Sequence, residues 1–321
     1  MRGTTVVTGA SGFIGANLVR SLLQEGRNVI GVDNLSGGTV GNLDGLELKT
    51  RRADLRLYQQ ALSALEDADT VFHLAARVGS LEYLHGSRRA ELDTLQSNLV
   101  IDTNVFRACK ELGVQKIVYA SSVSVYPISK QDTFGVEFAE PDVTPYDPEG
   151  GYGWAKLLGE LQLELLEDSK SACARIFNAY GEYSAFGQAA QVVPALIRKA
   201  INYPKEEFIV WGSGSQTRNL LYVEDCVKAL MLMEAHASQR SLVLNIGNPE
   251  TTTIRSLAEV IVGVSGKQIE VRYDVTRPVG PVSRIPNIER ARRMIGWAPR
   301  VSLREGVERT YNWMSSRLAG A

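Results

Sequence analysis

Through the first 180 residues, short β-branched apolar runs alternate with stretches whose apolar positions recur every three to four residues. The runs at 4–8, 28–33, 48–53, 70–75, 116–121 and 172–177 predict strands, and the stretches at 12–24, 57–65, 92–112 and 152–167 predict helices. Such alternation implies right-handed β-α-β crossovers, hence an α/β fold with a doubly wound parallel sheet covered on both faces. The unbroken apolar pair Ile117-Val118 fits a strand buried on both sides. After Asn178 glycines and prolines become frequent, with short helices expected at 191–201, 223–236, 253–264 and 303–315 and short strands at 208–211 and 242–247. The expected organisation is a sheet domain over 1–178, joined by some later returning segments, and a smaller mixed α/β lobe over 179–321. No polar Gly/Ser-rich spacer separates them, so the junction near 178 reads as a hinge region and not a linker.

The chain has 321 residues, 44% hydrophobic and 22% charged, with a net charge of −1. At this length roughly 75% of the unfolded surface can be buried, so the core needs no staples. Near-zero net charge argues against nucleic acid as the partner. Cys109, Cys173 and Cys226 are widely spaced and lack metal-ligand spacing, and only His73, His85 and His236 could add nitrogen ligands. They read as buried structural thiols of a reducing compartment, with no metal expected. The start lacks the apolar core of a signal peptide, and no apolar stretch reaches membrane-span length, so a cytoplasmic protein with no membrane partner is expected.

Chemistry enters with Thr8-Gly9-Ala10-Ser11-Gly12-Phe13-Ile14-Gly15, directly after the first strand. A helix that begins at such a turn aims unpaired N–H groups and a positive dipole end at a pyrophosphate, and the glycines let the ligand approach the backbone. The spacing Gly-x-x-Gly-x-x-Gly is one residue looser than the standard dinucleotide fingerprint. Asp33, followed by Asn34 at the end of the second strand, is suited to accept hydrogen bonds from ribose hydroxyls and would repel a 2′-phosphate. NAD is therefore favoured over NADP, in a Rossmann-type domain. Asp54 and Leu55, after the third strand, are expected beside the adenine.

Tyr152 and Lys156 lie one helical turn apart on a single face. A free tyrosine, with a pKa of about 10, is a poor base at neutral pH. The lysine charge, added to that of an oxidised nicotinamide, is expected to lower it. Such a pair suits removal of a hydroxyl proton while hydride leaves the same carbon. Ser122 is placed to hold that hydroxyl in line, with Ser124 beside it and Asn98 in support.

Taken together, the chain resembles the extended short-chain dehydrogenase/reductase superfamily, in particular its NAD-dependent nucleotide-sugar epimerases and dehydratases. The resemblance rests on 32–36 (Val-Asp-Asn-Leu-Ser), 73–76 (His-Leu-Ala-Ala), 120–126 (Ala-Ser-Ser-Val-Ser-Val-Tyr), 175–181, 214–218, 222–225 and 296–299, and so runs nearly end to end. It implies NAD, a nucleoside-diphosphate sugar and a two-lobed fold. It adds Leu74, Ala75 and Ala76 to the cofactor site and implies that Arg218 and Arg284 grip the diphosphate, with Asn178 beside them. Guanidinium forks suit phosphate oxygens. Val78 and Gly79, within 77–80, are expected in the wall of the sugar pocket.

The resemblance also bears on the reaction. The dehydratases and UDP-glucuronate decarboxylases of the family carry Glu where this chain has Ser124. Segments from Arg198 onward resemble GDP-mannose 3,5-epimerases, whose cysteine and lysine acid/base pair falls on Ser124 and Gln191. Neither side chain deprotonates carbon near neutral pH. The set that remains is that of a 4-epimerase: Ser122, Tyr152 and Lys156. Its rivals are a 3,5-epimerase or reductase using other bases, with His85 and Lys130 as suspects, and a non-catalytic NAD-binding sensor or scaffold. The family resemblance further implies a homodimer pairing through helices 92–112 and 152–167, with Leu157, Leu158, Leu161, Leu165 and Leu166 at hand. Base and sugar stay open at this point, and Arg77, Arg88 or Arg89 near the pocket would favour a carboxylate.

Overall fold

The computed structural model describes residues 3–37, 40–79, 86–131, 135–187, 190–277 and 284–319. Seven parallel strands form the central sheet: β1 (Thr4–Thr8), β2 (Asn28–Asp33), β3 (Lys49–Arg52), β4 (Thr70–His73), β5 (Lys116–Ser122), β6 (Lys170–Ile176) and β7 (Leu242–Ile246). Their spatial order is β7-β6-β5-β4-β1-β2-β3, so the chain reverses its direction of travel across the sheet between β1 and β4. The crevice at the carboxyl ends of those two strands is where such sheets receive ligands. The expected returning segment is β7, which pairs with β6 in register Leu242 to Ala172.

The period of two along each strand divides the core between two faces. Val6, Val71, Ile117 and Cys173 pack on one face, together with Val105, Phe106 and Leu163 from the helices. Val7, Phe72, Val118 and Ala174 pack on the other, with Leu18 and Leu22. The first face is covered by α2 (Tyr58–Ala64), α3 (Arg88–Leu112) and α4 (Gly150–Glu164), the second by α1 (Phe13–Gln24) and the later helix Val223–Ala235. The smaller C-terminal lobe is mixed, with short strand pairs such as Ile209–Trp211 with Arg272–Asp274 and Thr217–Arg218 with Thr252–Thr253.

Two boundaries depart from the sequence pattern for local reasons. Helix α3 starts four residues earlier than its apolar period suggests, because the Ser87 side chain accepts the Ala90 N–H at 3.1 Å and caps it. Strand β4 stops at His73: the Leu74 N–H is shared between the Thr8 carbonyl and hydroxyl, both at 3.2 Å, and the Ala75 N–H turns to the hydroxyl, also at 3.2 Å. Cys109, Cys173 and Cys226 are all buried, unpaired thiols. Among the described residues no helix is long and apolar enough to cross a membrane.

A buried polar knot fixes the segment between β5 and α4. Arg175, 4% exposed, donates to both Glu160 oxygens (3.0 and 2.7 Å), to the Glu140 carbonyl (2.7 Å) and to the Tyr126 hydroxyl (3.1 Å). Tyr126 in turn donates to Asn245 on β7 at 2.6 Å. Removing one member of a buried ion pair strands the other charge in a poor solvent. Arg175→Met is expected to cost about 3–5 kcal/mol in urea unfolding, and adding Glu160→Gln to the same chain should recover part of the loss. A loss below about 1 kcal/mol, the scale of an exposed pair, would show that the knot does not hold the fold.

Candidate active site

The glycine turn is built as a cradle. Gly9 adopts φ +68°, and a Cβ there would lie 2.8 Å from the Ala75 nitrogen on the neighbouring strand end. A Cβ on Gly15 would stand 2.0 Å from the Gly9 carbonyl, so the helix meets the turn only if residue 15 has no side chain. Gly12 precedes α1 without a side-chain cap, which leaves the first-turn N–H groups, from Phe13, Ile14 and Gly15 onward, directed out of the helix end. Asp33 accepts the Ser11 N–H at 2.9 Å on one oxygen and the Leu35 N–H at 2.7 Å on the other, tying the end of β2 to the turn. Each oxygen keeps a further lone pair.

Farther along, Asn34 accepts the Ser36 N–H at 3.0 Å. Asp54 is held by Arg56, whose Nη2 lies 2.6 Å from it, and this hydrogen bond keeps the Asp54 carboxyl below its usual range. The Leu55 side chain is part of the core. Asn98, fully buried on α3, grips the main chain of Arg77 from both sides: its oxygen accepts the N–H at 2.7 Å and its nitrogen donates to the carbonyl at 3.1 Å. That clamp orients the strand exit through Leu74, Ala75 and Ala76 toward Val78 and Gly79, both exposed. Ser80 and His85 lie outside the described residues, as do residues 281–283, next to Arg284.

Ser122 ends β5, and Tyr152 stands in the first turn of α4, near enough for the Ser122 hydroxyl to favour its phenolate. Lys156 is buried, its Nζ 4.5 Å from the centroid of the Tyr119 ring and 5.8 Å from that of Tyr152. Ser122, Tyr152 and Lys156, thirty-odd positions apart in the chain, thus meet at the carboxyl end of β5. The electrostatics there differ from expectation. Burial pushes the Tyr152 phenol well above its ordinary pKa; the Ser122 hydrogen bond opposes this, while Asp102 and Glu149 add to it. Burial likewise lowers Lys156, and the attraction of Asp102 opposes it. The expected lowering counted the charge of an oxidised nicotinamide, and the chain's own groups act in the other direction.

Three participants escaped the sequence reading. Asp102 accepts from His73 Nε2 (3.0 Å) and from the Tyr119 hydroxyl (2.6 Å), and the other His73 ring nitrogen faces the Thr8 hydroxyl at 2.7 Å. An ionisable residue on the apolar face of α3, in phase with Asn98 and Val105, was the available signal for Asp102. Thr8, the residue before the turn, carried none. Glu149, three residues before Tyr152, accepts from the Ser124 hydroxyl at 2.9 Å, and Ser124 N–H donates to Ser122 at 3.2 Å. Its signal was an acid at a helix start.

Beyond Glu149 lies a cationic end. Arg284 Nη2 is 2.7 Å from Glu149 Oε1, yet neither its Nε nor its Nη2 finds an aligned acceptor. Asn178, at φ +38°, buries a side-chain nitrogen with no partner among the described residues. These two residues, Thr217 and Arg218 enclose a cavity of about 30 Å³. Arg218 is pulled down to about 10 by burial and by repulsion from Arg284, with Glu149 opposing. Two adjacent half-buried arginines, and an amide nitrogen with no partner among the described residues, make a place for an anion. Of the remaining sequence candidates, Gln191 is an exposed helix cap, and Lys130 is tied to the Thr144 carbonyl at 3.1 Å. Arg88 and Arg89 are exposed at the start of α3, and Arg77 Nε reaches the Thr94 hydroxyl at 3.4 Å.

A model of the NAD dependent epimerase/dehydratase family matches residues 5–247. The chain belongs to this family. It is 28% identical over 316 residues to a GDP-mannose 3,5-epimerase of Arabidopsis thaliana, covering 97% of this chain and 82% of that one. The UDP-glucose 4-epimerase of Thermotoga maritima, solved with UDP-glucose, superposes with a TM-score of 0.87 at 27% identity, covering 98% of this chain and 99% of that one. A structure of MoeE5 in complex with UDP-glucose and NAD superposes with a TM-score of 0.81 at 28% identity, covering 98% of this chain and all of that one (100%). The expected family and fold are thereby established.

The tyrosine electrostatics are open to direct titration. In dinucleotide-free protein, Tyr152 should remain protonated at a pH of about 10, where an ordinary tyrosine is half ionised. The phenolate absorbance difference between the wild type and Tyr152→Phe isolates it. Ser122→Ala should raise its pKa further and Asp102→Asn should lower it. A Tyr152 phenolate already formed below pH 10 would contradict the dominance of burial.

Proposed function

We propose that the chain is an NAD-dependent nucleotide-sugar 4-epimerase, with residues 1–178 holding the cofactor and 179–321 the nucleotide sugar. The observation that carries this reading is the linked series Tyr152, Ser122, Ser124, Glu149 and Arg284, which runs from a proton-transfer pair to an anion-binding pair of arginines. A nucleoside-diphosphate sugar has the same order: a reacting hydroxyl, a sugar ring, then a diphosphate. The cradle at Gly9 and Gly15 and the uncapped end of α1 suit a dinucleotide pyrophosphate.

In this reading Gly9, Ser11, Gly12, Phe13, Ile14 and Gly15 hold the pyrophosphate of NAD, and Asp33 and Asn34 its adenosine ribose. Asp54 and Leu55 border the adenine, and Leu74, Ala75, Ala76 and Asn98 line the way to Ser122, Tyr152 and Lys156. Bound there, NAD would supply the hydride acceptor, and then donor, for C4 of the sugar. Tyr152 takes the 4-hydroxyl proton as that C–H bond breaks and gives it back when the ketone is reduced on its opposite face. Ser122 holds the oxygen in line, and the charge of Lys156 favours the phenolate. Asn178, Arg218 and Arg284 hold the diphosphate, while Val78, Gly79 and Ser124 border the sugar.

Similarity to the plant 3,5-epimerase supports a second reading, carbon deprotonation at C3 or C5. Proton NMR in heavy water, with UDP-, GDP- and ADP-sugars, separates the two. Inversion at C4 with no deuterium gained at carbon is expected. Deuterium at C3 or C5 would replace the first reading by the second.

A homodimer belongs to the same proposal. Leu92 and Val100 on α3, Trp154 and Leu161 on α4 and Leu165 just after it are exposed, with Leu165 at 72%, although the two helices pack together. Large apolar side chains clustered on two adjacent helices suit a protein contact. Sedimentation at micromolar concentration should return twice the mass of the 35.2 kDa chain; a monomer would remove the dimer from the proposal.

A further inference from the structure

Glu149 has no role in the reaction described above, yet it occupies the middle of the site. It precedes α4 but does not cap it: the side chain leaves the helix end and turns to Ser124 and Arg284. Its main-chain N–H donates to the Ser124 carbonyl at 2.8 Å, which fixes the backbone from which it projects. A Cβ on Gly153 would fall 2.2 Å from that same carbonyl, so the approach of α4 to this segment depends on a bare position one turn later. The Glu149 side chain is only 11% exposed. Burying a carboxylate is costly unless its partners are well aligned, and Arg284 meets it off the hydrogen-bonding direction. A capping role or a structural ion pair therefore accounts poorly for it.

We propose that Glu149 is a specificity-determining residue of the sugar subsite, selecting nucleoside-diphosphate sugars with an uncharged glycosyl group and rejecting uronates. The proposal rests on the nucleotide-sugar reading above. Ser124 joins Glu149 to Ser122 at one end and Arg284 joins it toward Arg218 and Asn178 at the other, so a ring spanning the two ends passes the carboxylate. Its field reaches both: it raises the Tyr152 phenol and opposes the lowering of Arg218. A carboxylate accepts hydrogen bonds from sugar hydroxyls and repels a second carboxylate in a site shielded from water. Among the described residues of this cluster there are two guanidiniums and one carboxylate, and a diphosphate already saturates that positive charge. A uronate adds a negative charge, and among the described residues of this cluster no further cation stands there to meet it. Of the arginines considered as uronate partners from sequence, Arg88 and Arg89 are exposed at the start of α3, and Arg77 Nε lies 3.4 Å from the Thr94 hydroxyl.

The test compares pairs that differ only at C6: UDP-glucose with UDP-glucuronate, and GDP-mannose with GDP-mannuronate. Turnover and calorimetric Kd are measured on the NAD-loaded full chain. The wild type should prefer the neutral member by at least about tenfold, and Glu149→Gln should erase the preference by improving the uronate. Glu149→Asp and Ser124→Ala, which keep the charge, should retain most of it. Equal or better binding of uronates by the wild type overturns the proposal without any variant having to fold. An unchanged ratio in Glu149→Gln overturns it too, as does deuterium incorporation at carbon by the wild type that Glu149→Gln abolishes, which would make Glu149 a proton-transfer group. Failure of the C4 reaction alone leaves the Kd ratios to decide on Glu149. Failure of every nucleotide sugar to bind ends both proposals together.

Discussion

At the point where the sheet reverses its order, the Thr8 hydroxyl and the His73 ring nitrogen meet at 2.7 Å across β1 and β4, both fully buried. Burial lowers the His73 pKa and keeps the ring neutral, so it offers one donor and one acceptor. With Thr8 donating to Nδ1, Nε2–H donates to Asp102, which also receives the Tyr119 hydroxyl. The Thr8 oxygen meanwhile accepts the N–H groups of Leu74 and Ala75. One chain of hydrogen bonds thus ties together the start of the glycine turn, the exit of β4, helix α3 and β5. Buried networks of this kind specify a single arrangement when every member is satisfied.

The rest of the site is hung from that network. Asn98 is one turn before Asp102 on α3, and from there it holds Arg77 and the strand exit. Tyr119 presents its ring to Lys156, and a Cβ on Gly159 would lie within 2.4 Å of its hydroxyl, so α4 can settle on β5 only at this glycine. The position of Lys156, and of Tyr152 one turn earlier, follows from that contact. Arg175, on the adjacent strand, anchors α4 a second time through Glu160. The residues brought together are those at or just beyond the carboxyl ends of β1, β2, β4, β5 and β6: Gly9, Asp33, Ala75, Ser122 and Asn178. That edge is common to all of them because every strand of the sheet is parallel.

Charge then differentiates the two ends of the site. Toward Tyr152, burial and the carboxylates Asp102 and Glu149 favour the neutral phenol. At the other end, burial and the nearby Arg284 charge disfavour the charge of Arg218. Neither condition is at rest in the protein alone: a cation near the phenol and an anion near the arginines each relieve one. The site is thus polarised along its length, with Glu149 set between the two ends.

What the sequence determined by itself was whatever depends on local order: strands by apolar runs, helices by their period, the glycine turn by spacing, and Tyr152 with Lys156 by a single helical turn. Those signals survive because each is short-range, so the residues that make the pattern also make the structure. The Ser87 cap was local too, yet it sat outside the apolar period and moved the start of α3. Only the tertiary structure decided that β7 lies beside β6 and that Asp102 joins His73 to Tyr119. The same holds for Glu149, which meets Ser124 from 25 positions away and Arg284 from a still more distant segment. Such partners carry no spacing in the chain, and burial alone sets whether a charge between them is held, shifted or opposed.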